Sequence, residues 1–524
     1  MSLVCGPILG FRGQQGDEWR VSVVIADDGE TPPGPLTWAG AGQGEGTPVE
    51  PALVGAIGGL RFYAYEFQIA FRDRAATIDY GLAGDGRRWS FVVPGTADNP
   101  RIAYASCNGF STPGSWRSVQ DKNALWHELV EGHRRQPYHL LLMGGDQIYA
   151  DQLWAAVPAL RRFNEMPRDE RLALVPDRAV RAQVERFYTS TYRDRFSQPG
   201  VADALASIPS VMMWDDHDIF DGWGSYDPDV QASVVFRMVF EVARACFSVL
   251  QLQMNWESPS WPVLAGQDGF GSIRRFGNIG LLILDLRSQR TQKQVMAPGT
   301  WDVLFAALDR EAGLRHLIVM SSIPVMHPGM AFLEQALDIV PGRQELEDDL
   351  HDQWISRSHK AERLRLIHRL LDFADAKGTR VTILSGDVHV AAVGAIESTR
   401  RPVRWLHSNV INQLTSSAIV HPPPPGIVRY FLERMATQTE EIDRGIQGHM
   451  LQFPATNYRI IGNRNWLSLE WDDADRIWAN WHVEGEDEVV TKVVQPCEML
   501  SVSSDAGGVI PTISSARRAT PITR

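Results

Sequence analysis

Residues 139–151 read HLLLMGGDQIYAD, an apolar run that is followed by two carboxylates and a tyrosine. A continuous apolar run of this kind is typical of a strand that is buried on both faces. Asp146, Tyr149 and Asp151 therefore follow the strand at the point where the chain must turn. Taken by itself, the stretch fits either an acidic loop in water or one half of a metal site.

Similar apolar runs recur along the chain and alternate with helical stretches from about residue 100 onward, which predicts a layered α/β domain. Helices are predicted over residues 121–135, 168–192, 230–253 and 359–378. The strand candidates, all continuous and apolar, are RIAYASC (101–107), YHLLLMGG (138–145), SVMMWDD (210–216), IGLLILDL (279–286), LRHLIVMSS (314–322) and TRVTILSGD (379–387).

The chain is expected to contain more than one structural unit. Residues 1–95 alternate apolar and polar side chains between Gly, Pro and Asp clusters, which predicts a small antiparallel β domain. The main domain is predicted over residues 96–495, with a helical insertion near 152–205 and antiparallel strands between about 456 and 492 that complete a sheet. Residues 496–524 are predicted to be a loosely held tail.

Composition narrows the class of protein. With 44% hydrophobic and 22% charged residues, the chain of 524 residues is expected to be globular. The formal net charge of −12 argues against a nucleic-acid-binding surface, although a local cationic cluster can still bind a small anion. No apolar run is long enough for a membrane span. We expect a cytoplasmic protein, or a secreted or periplasmic one if a signal peptide has been removed.

Five of the predicted strands run into polar clusters. Because ligands gather beyond the carboxyl ends of parallel strands, these clusters are expected at one edge of the domain. A single Asp in such a place is usually a helix cap or a turn residue, but so many acids at one edge would repel each other without a cation. The clusters are Cys107 and Asn108; Asp146 and Tyr149; Asp215, Asp216, His217 and Asp218; Asp285 and Arg287; and Asp387 and His389.

The mixture of ligand types predicts two or more unlike metals. Carboxylates suit hard ions such as calcium, magnesium and manganese, whereas imidazole, thiolate and tyrosinate suit iron, zinc or copper.

GGDQIYAD, WDDHD, LDLRSQR and SGDVH, in this order and after these strands, resemble the motif series of the PhoD-like (alkaline phosphatase D) metallophosphatases. That family belongs to the superfamily of calcineurin-like and purple acid phosphatases, and the similarity runs from about residue 100 to 420. The resemblance implies an α/β fold in which a layered β-sandwich is flanked by helices in the order α-β-β-α, preceded by a small all-β domain.

The resemblance also implies roles for individual residues. Asp146 aligns with the superfamily's bridging carboxylate, and His217 aligns with its catalytic histidine. WDDHD and SGDVH each place a carboxylate where the superfamily has a neutral ligand, which favours a hard ion at one site. The implied cofactors are Fe3+ and a divalent ion, preferably calcium, with manganese, magnesium and zinc as the other choices. The implied metal ligands are Cys107, Asp146, Tyr149, Asp216, Asp387 and His389.

Several assignments stay open at this level. Asn108 and Arg287 are candidate substrate-binding residues, but Arg287 fits a structural ion pair equally well, and Arg290 is a weaker candidate of the same kind. Asp285 either holds Arg287 or binds metal, and either Asp215 or Asp216 is the ligand. His327 is expected in the pocket without an assigned role. Asp151 is predicted to cap the next helix.

The expected function is metal-dependent hydrolysis of phosphoric esters, as a phosphodiesterase, an alkaline phosphomonoesterase or both. A metal-bound hydroxide would attack phosphorus, while His217 stabilises charge or protonates the leaving group. The substrate would be a small-molecule, lipid or polymer phosphoester. One alternative is a metal-stabilised protein that binds a phosphorylated ligand without turnover. Another, given less weight because GxSxG and HExxH are missing, is a metallohydrolase of carboxylic esters or amides. The oligomeric state is not predicted.

Overall fold

The computed structural model of the chain describes residues 3–40, 44–327, 354, 359–400, 403–454 and 456–500. The helices in these ranges are α1 (Pro113–Ser118), α2 (Ala124–Arg135), α3 (Leu153–Ala156), α4 (Pro158–Glu165), α5 (Arg168–Ala173), α6 (Arg178–Phe196), α7 (Val201–Ser207), α8 (Pro228–Gln231), α9 (Val234–Leu250), α10 (Pro298–Arg310), α11 (Lys360–Lys377) and α12 (Gly426–Met435).

The strands are β1 (Leu3–Gln15), β2 (Glu18–Asp27), β3 (Leu36–Gly40), β4 (Gly44–Glu45), β5 (Ala52–Ile57), β6 (Leu60–Ala70), β7 (Ala76–Leu82), β8 (Trp89–Val93), β9 (Arg101–Ala105), β10 (Leu140–Gly144), β11 (Ser210–Met213), β12 (Ser272–Phe276), β13 (Ile279–Ile283), β14 (His316–Met320), β15 (Arg380–Ser385), β16 (Ala391–Ser398), β17 (Trp405–Leu406), β18 (Val410–Thr415), β19 (Thr439–Asp443), β20 (Ile446–Leu451), β21 (Ile460–Ile461), β22 (Asn465–Trp471), β23 (Ile477–Val483), β24 (Val490–Val494) and β25 (Glu498–Met499).

Two large mixed sheets form the centre of the molecule. The first has the order β24-β23-β22-β9-β10-β11-β1-β2-β6-β5, and the second has the order β12-β13-β14-β15-β18-β16-β20-β19, with β21 paired to β16. Strands β9, β10 and β11 run parallel in the first sheet, and β13, β14, β15 and β18 run parallel in the second. The carboxyl ends of each parallel set therefore lie at one edge of its sheet.

The two sheets pack face to face, with helices on both outer faces. One apolar cluster joins side chains of both sheets, including Leu142 and Met213 from the first and Leu281 and Leu384 from the second. A second cluster packs α2, α6, α7 and α9 against the first sheet, and a third packs α10, α11 and α12 against the second. This is the predicted α-β-β-α sandwich.

All six predicted strands of the main domain are strands in the structure. Their burial is complete or nearly so, as continuous apolar runs predict; Leu140–Gly144, for example, is buried at every position. The helix predicted over residues 168–192 is instead two helices, α5 and α6, because Pro176 lies in the intervening segment and disfavours helix in the residue before it. None of the helices in the described ranges is long and apolar enough to cross a membrane.

The N-terminal β region shares a sheet with the main domain. Strand β1 runs parallel to β11, with Gly10 opposite Ser210, so that β1, β2, β6 and β5 extend the first sheet without a break. Strands β3, β4, β7 and β8 form a separate four-stranded sheet. Whether residues 1–95 fold as a domain of their own stays a prediction. In the predicted tail, β25 pairs with β17, and residues 501–524 lie outside the described ranges.

Candidate metal centre

The sandwich brings metal-ligand side chains from both sheets together. Cys107, Asp146 and Asp216 follow β9, β10 and β11, whereas Asp387 and His389 follow β15. Among the described residues, three groups have ligand atoms within 4.8 Å of one another: Cys107, Asp146 and His389; Asp146, Asp216 and His217; and Asp146, Asp215, Asp216 and Asp387. Asp146 belongs to every group, which is the arrangement that a bridging carboxylate requires.

Unusual backbone conformations occur at four of these positions. Cys107, Asp146, Asp387 and His389 have φ values of 54°, 54°, 68° and 53°, in the left-handed region that side chains other than glycine rarely adopt. Hydrogen bonds between neighbouring loops hold the first two, since Cys107 N donates to Gly145 O and Asn108 N donates to Asp146 O. Such strain persists where the surroundings impose it, and it is concentrated at functional sites.

One side of the centre carries the softer ligands. Cys107 Sγ lies 3.5 Å from Asp146 Oδ2 and 2.9 Å from Ser417 Oγ. The hydroxyl of Tyr149 lies 3.2 Å from His389 Nε2, so the phenol adjoins the same group. Burial, reinforced by the charge of Asp146, raises the pKa of Cys107 well above its ordinary value. A thiolate at this position therefore requires a compensating positive charge.

The other side of the centre carries carboxylates. Arg287 is completely buried and pairs with both Asp215 and Asp216, with Nη2 lying 3.2 Å from Asp216 Oδ1. Asp215 Oδ1 also accepts a bond of 2.8 Å from Ser322, whereas Asp216 Oδ2 accepts a bond of 2.8 Å from Gly222 N. The contacts of Arg287 fit a structural ion pair, the alternative to a substrate clamp that the sequence left open.

The residues present fit a bound cation. Asp146 is 1% exposed, and its Oδ1 has no hydrogen-bond partner among the described residues. Burial, and then repulsion from Asp215, Asp216 and Asp218, raises the pKa of Asp146 well above its ordinary value despite the nearby His217. A buried carboxylate oxygen without a hydrogen-bond partner is costly unless a proton or a metal ion neutralises its charge. Together with the mixed donor set, this orphaned oxygen supports a metal site at Asp146.

Asp151 orients His217. Its two carboxylate oxygens lie 2.9 and 3.0 Å from His217 Nδ1, and Oδ1 also accepts a bond of 2.9 Å from Asp221 N. Helix α3 begins at Leu153 with Gln152 at its N-cap, so the prediction that Asp151 caps the next helix is wrong. The Asp151 carboxylate forms a hydrogen bond with His217, which is distant in sequence, because the turns that contain the two residues pack together at the sheet edge. The Tyr149 ring stacks on His217, with centroids 4.2 Å apart.

The other predicted polar residues have structural contacts. Asn108 is fully buried, and its Oδ1 accepts bonds from Trp126 Nε1 and Arg195 Nε at 2.8 and 2.9 Å. Both oxygens of Asp285 accept hydrogen bonds, including those from Trp214 Nε1 and Phe270 N. Asp285 therefore holds the turn around itself rather than the Arg287 guanidinium. Arg290 and His327 are buried, and His327 belongs to none of the three ligand groups found in the described ranges.

His421 lies in the centre although the sequence did not point to it. Its ring stacks on His389 with centroids 3.8 Å apart and on Tyr149 at 5.4 Å. Burial lowers its pKa to about 3, so the ring is neutral. Nδ1 lies 2.9 Å from the carbonyl oxygen of Pro422, which identifies Nδ1 as the donor, and Nε2 can accept from Ser111 Oγ at 3.2 Å. HPPPPG at 421–426 indicates a rigid loop, but nothing in this stretch predicts that His421 lies next to the candidate ligands.

An open cavity of about 510 Å³ adjoins the centre. Tyr149 and Asn108 lie in its wall, together with Phe110, Trp116 and Arg195. Tyr149 therefore contacts both this cavity and His389 of the centre.

Comparisons with known proteins relate the chain to phosphatases. The sequence profile of a family described as PhoD related phosphatase matches residues 77–344 and 337–440. The uncharacterized protein YGR266W of Saccharomyces cerevisiae (strain ATCC 204508 / S288c) is 28% identical over 452 residues. This similarity covers 71% of the present chain and 64% of the yeast protein, so the chain matches less than two thirds of that relative's length.

Two experimentally determined structures share the fold. The structure of PhoD has a TM-score of 0.58 at 13% identity and covers 97% of this chain and 94% of its own. Purple acid phosphatase PPD1 from seeds of yellow lupin (Lupinus luteus) has a TM-score of 0.52 at 10% identity, and the match covers 93% of the present chain and 74% of the lupin protein. At these identities the likeness shows the metallophosphatase-like sandwich.

Proposed function

Because this chain belongs to the PhoD-related phosphatase family, we propose that it hydrolyses phosphoric esters with the help of bound metal ions. The observation that carries the proposal is the position of Asp146, which is buried, has an oxygen without a hydrogen-bond partner among the described residues, and is shared by all three ligand groups. A carboxylate in this position supports two metal ions side by side.

The two sides of the centre support unlike ions. Cys107, Tyr149 and His389 would hold Fe3+, and Asp216 and Asp387 would hold a divalent ion, with calcium preferred over manganese, magnesium and zinc. We prefer Asp216 to Asp215 as the ligand because Asp216 belongs to two of the three ligand groups and Asp215 to one. When bound, the ions would neutralise the phosphoryl oxygens and acidify a water molecule.

His217 supplies the proton for the leaving oxygen in this proposal. Burial opposes a charge on the ring, but the charges of Asp151 and Asp216 and the hydrogen bond to Asp151 outweigh burial and raise the pKa of His217 well above its ordinary value. With Nδ1 bound to Asp151, the proton available for transfer is on Nε2. A protonated imidazole with its Nε2 proton free for transfer would act as a general acid toward the departing oxygen.

Activity and metal content together test the proposal. The purified full chain, loaded with iron and calcium, is assayed with 4-nitrophenyl phosphate and with bis(4-nitrophenyl) phosphate, and its metals are measured. We expect turnover of at least one ester and a visible absorption band from thiolate or tyrosinate bound to ferric iron. A protein that holds metal but hydrolyses neither ester with any added ion would contradict the enzyme, and colourless, zinc-only active protein would contradict the iron assignment.

Replacing His217 separates catalysis from metal binding. His217→Ala is expected to lower kcat by about a hundredfold or more, because the proton donor is lost while the proposed ligands remain. The metal content should stay close to that of the unchanged protein, and His127→Ala, at an exposed position of α2, is the control. Full activity in His217→Ala would exclude this role.

The chief alternative is a protein that binds a phosphorylated ligand without turnover. The His217–Asp151 pair argues against it, because a binding site does not need an oriented proton donor. Tight binding of phosphate by metal-loaded protein without hydrolysis of either chromogenic ester would favour the alternative.

A further inference from the structure

The cavity beside the metal centre has an apolar and a cationic part. Phe110, Trp116 and Phe187 contribute aromatic rings, and Lys122 and Arg195 contribute positive charge. One carboxylate, Asp194, also lines the cavity, so its wall carries one net positive charge although the protein as a whole has a formal charge of −12. This combination fits a ligand that is partly apolar and partly anionic.

Arg195 is partly exposed in the cavity wall and lacks a carboxylate partner among the described residues. It lies in the last turn of α6, where Nε donates to Asn108 Oδ1 at 2.9 Å and Nη2 donates to Asn123 Oδ1 at 3.2 Å. Both acceptors are neutral amides, and no carboxylate of the described residues forms an ion pair with Arg195. The adjacent Asp194 instead pairs with Arg193 at 2.7 Å.

Partial removal of this charge from water is unfavourable in the ligand-free protein. Burial, and then the nearby Arg464, lowers the pKa of Arg195 to about 9. Arg287 shows the usual solution, since it is buried between Asp215 and Asp216. An anionic group in the cavity would supply to Arg195 the compensation that the protein itself supplies to Arg287.

Lys122 lies in the same cavity wall and also has no ion pair among the described residues. Its Nζ donates to Val119 O at 3.0 Å and lies 4.0 Å from the centroid of the Trp116 ring. The ammonium group is thereby held next to an aromatic surface that is 53% exposed, and its remaining donors are available to an oxyanion.

The cavity adjoins the metal centre through Tyr149 and Asn108. Tyr149 lines the cavity and also lies 3.2 Å from His389, and Asn108, which accepts from Arg195, directly follows Cys107. Tyr149 therefore contacts both the cavity that contains Arg195 and the ligand group that contains Asp146.

We propose that the substrate carries a second oxyanion group, a carboxylate or a phosphate, on an apolar or aromatic portion of its leaving group, and that Arg195 binds this second group with the help of Lys122. The inference rests on the proposed hydrolysis and adds a substrate class to it. The aromatic rings would contact the portion between the two anionic groups, and the guanidinium would bind the second oxyanion through two parallel hydrogen bonds.

The first test compares two esters that differ in one charge. Metal-loaded full chain is assayed with 4-carboxyphenyl phosphate and with 4-carbamoylphenyl phosphate, in which a neutral amide replaces the carboxylate. We expect kcat/KM to favour the carboxylate by about tenfold or more, chiefly through KM, and Arg195→Met to remove most of that preference. Arg186→Met is the matched control, since Arg186 lies on the exposed side of the same helix and should leave the preference unchanged.

A binding measurement separates this inference from the proposed hydrolysis. Calorimetric titration with 4-carboxyphenylphosphonate and 4-carbamoylphenylphosphonate needs no turnover, and 1,4-phenylenebisphosphonate in a third arm shows whether a second phosphate is bound more tightly than a carboxylate. Binding that favours a charged probe and depends on Arg195, without hydrolysis of any ester, would retain the inference and contradict the enzyme. Hydrolysis without any preference for a charged probe, or with a preference unchanged in Arg195→Met, would overturn the inference alone.

A second variant guards against a folding defect. Arg195→Lys keeps the positive charge but loses the planar fork, and we expect it to retain part of the preference for the charged probe. Thermal unfolding is followed for each variant. If Arg195→Met does not fold, Lys122→Met is expected to weaken binding of 4-carboxyphenylphosphonate several-fold and to leave binding of 4-carbamoylphenylphosphonate unaffected. Equal affinities for both probes in unchanged protein would overturn the proposal whatever the variants do.

Discussion

At the residue scale, charge compensation decides what each polar side chain does. Arg287 and Arg195 are both arginines close to the centre, yet Arg287 binds two carboxylates and Arg195 binds two amides. Asp151 and Asp285 are both acids in turns, yet Asp151 binds a histidine and Asp285 binds backbone N–H groups, a hydroxyl and an indole. The type of residue alone therefore does not define its role.

Replacing Asp151 should impair catalysis rather than folding. Asp151→Asn keeps the size of the side chain but removes the charge that favours protonated His217, so kcat should fall by about tenfold to a hundredfold. Because Asp151 raises the pKa of His217, the variant should lose activity on the alkaline side of its pH profile at a lower pH than the unchanged protein does. The pH profile of kcat checks this, with exposed Asp203→Asn as the control. An unchanged profile with unchanged metal content would contradict the orienting role.

Two histidines outside the centre, the buried His139 and the partly buried His133, should make the fold sensitive to acid. Burial lowers the pKa of His133 and of His139 to about 4 each, and their Nδ1 atoms accept hydrogen bonds from backbone N–H groups. The unfolded chain, with histidine pKa values of about 6.5, binds more protons between pH ~6.5 and ~4. The free energy of unfolding is therefore highest above that pH window. It falls as the pH falls through the window, by about 1.4 kcal/mol per pH unit for each histidine.

Thermal unfolding midpoints between pH 7 and pH 4.5 measure this effect. His139→Asn retains an acceptor near the position of Nδ1 but does not titrate, so its midpoint should fall less steeply with acidification than that of the unchanged protein. His127→Asn, at an exposed position, is the control. Parallel curves for all three proteins would show that His139 does not contribute.

At the element scale, short turns after parallel strands set the ligand positions. The turn after β10 contains Gly145, which has a φ of 103°. Glycine adopts this backbone conformation readily, whereas a residue with a side chain would be strained in it. A Cβ atom there would lie 2.9 Å from Ser322 Cβ and 3.0 Å from Asp215 Cβ. Close contact between the turns of the two sheets is thus possible because this position has no side chain.

Gly145→Ala should weaken both the fold and the metal site. Gly485→Ala is a matched control, because Gly485 also has a positive φ of 84° but a Cβ atom there would meet no described atom within 4 Å. Backbone strain should cost both variants about 1 kcal/mol, and overpacking should cost Gly145→Ala a further ~1–3 kcal/mol. Unfolding midpoints and metal content per chain are the measurements. Equal behaviour of the two variants would mean that the turns separate without cost.

At the scale of the whole molecule, the N-terminal strands complete the first sheet. Strand β1 covers the edge of β11, and Gln253, after α9, donates to Ile8 O at 2.9 Å and accepts from Ser22 at 2.7 Å. The strand that carries Asp216 is therefore internal to the sheet only because residues before 95 pair with it.

A fragment that begins at residue 96 is expected not to fold into a stable monomer. Its β11 would have an unpaired edge, and the apolar side chains that pack on β1 and β2 would be exposed. Expression, gel filtration and a circular-dichroism melt of residues 96–500 check this against the full chain. A soluble monomer with a cooperative melt would establish the N-terminal region as a separate domain.

The sequence by itself determined the strands and the edge at which the candidate metal ligands lie. A continuous apolar run followed by polar residues is a local pattern, and all six such runs in the main domain are strands whose order along the chain matches the motif series. The residues that approach one another in the three ligand groups include all the predicted ligands except Tyr149, which adjoins them through His389.

Only the tertiary structure decided which polar groups compensate each other. Asp151 and His217 are 66 positions apart, and Arg287 and Asp215 are 72 apart, so no local pattern connects them. The pairing of β1 with β11, the position of His421 and the lack of an ion pair at Arg195 among the described residues depend in the same way on how distant segments pack. A local pattern reports which side chains leave a strand, whereas charge balance is set by the neighbours that packing brings within a few ångströms.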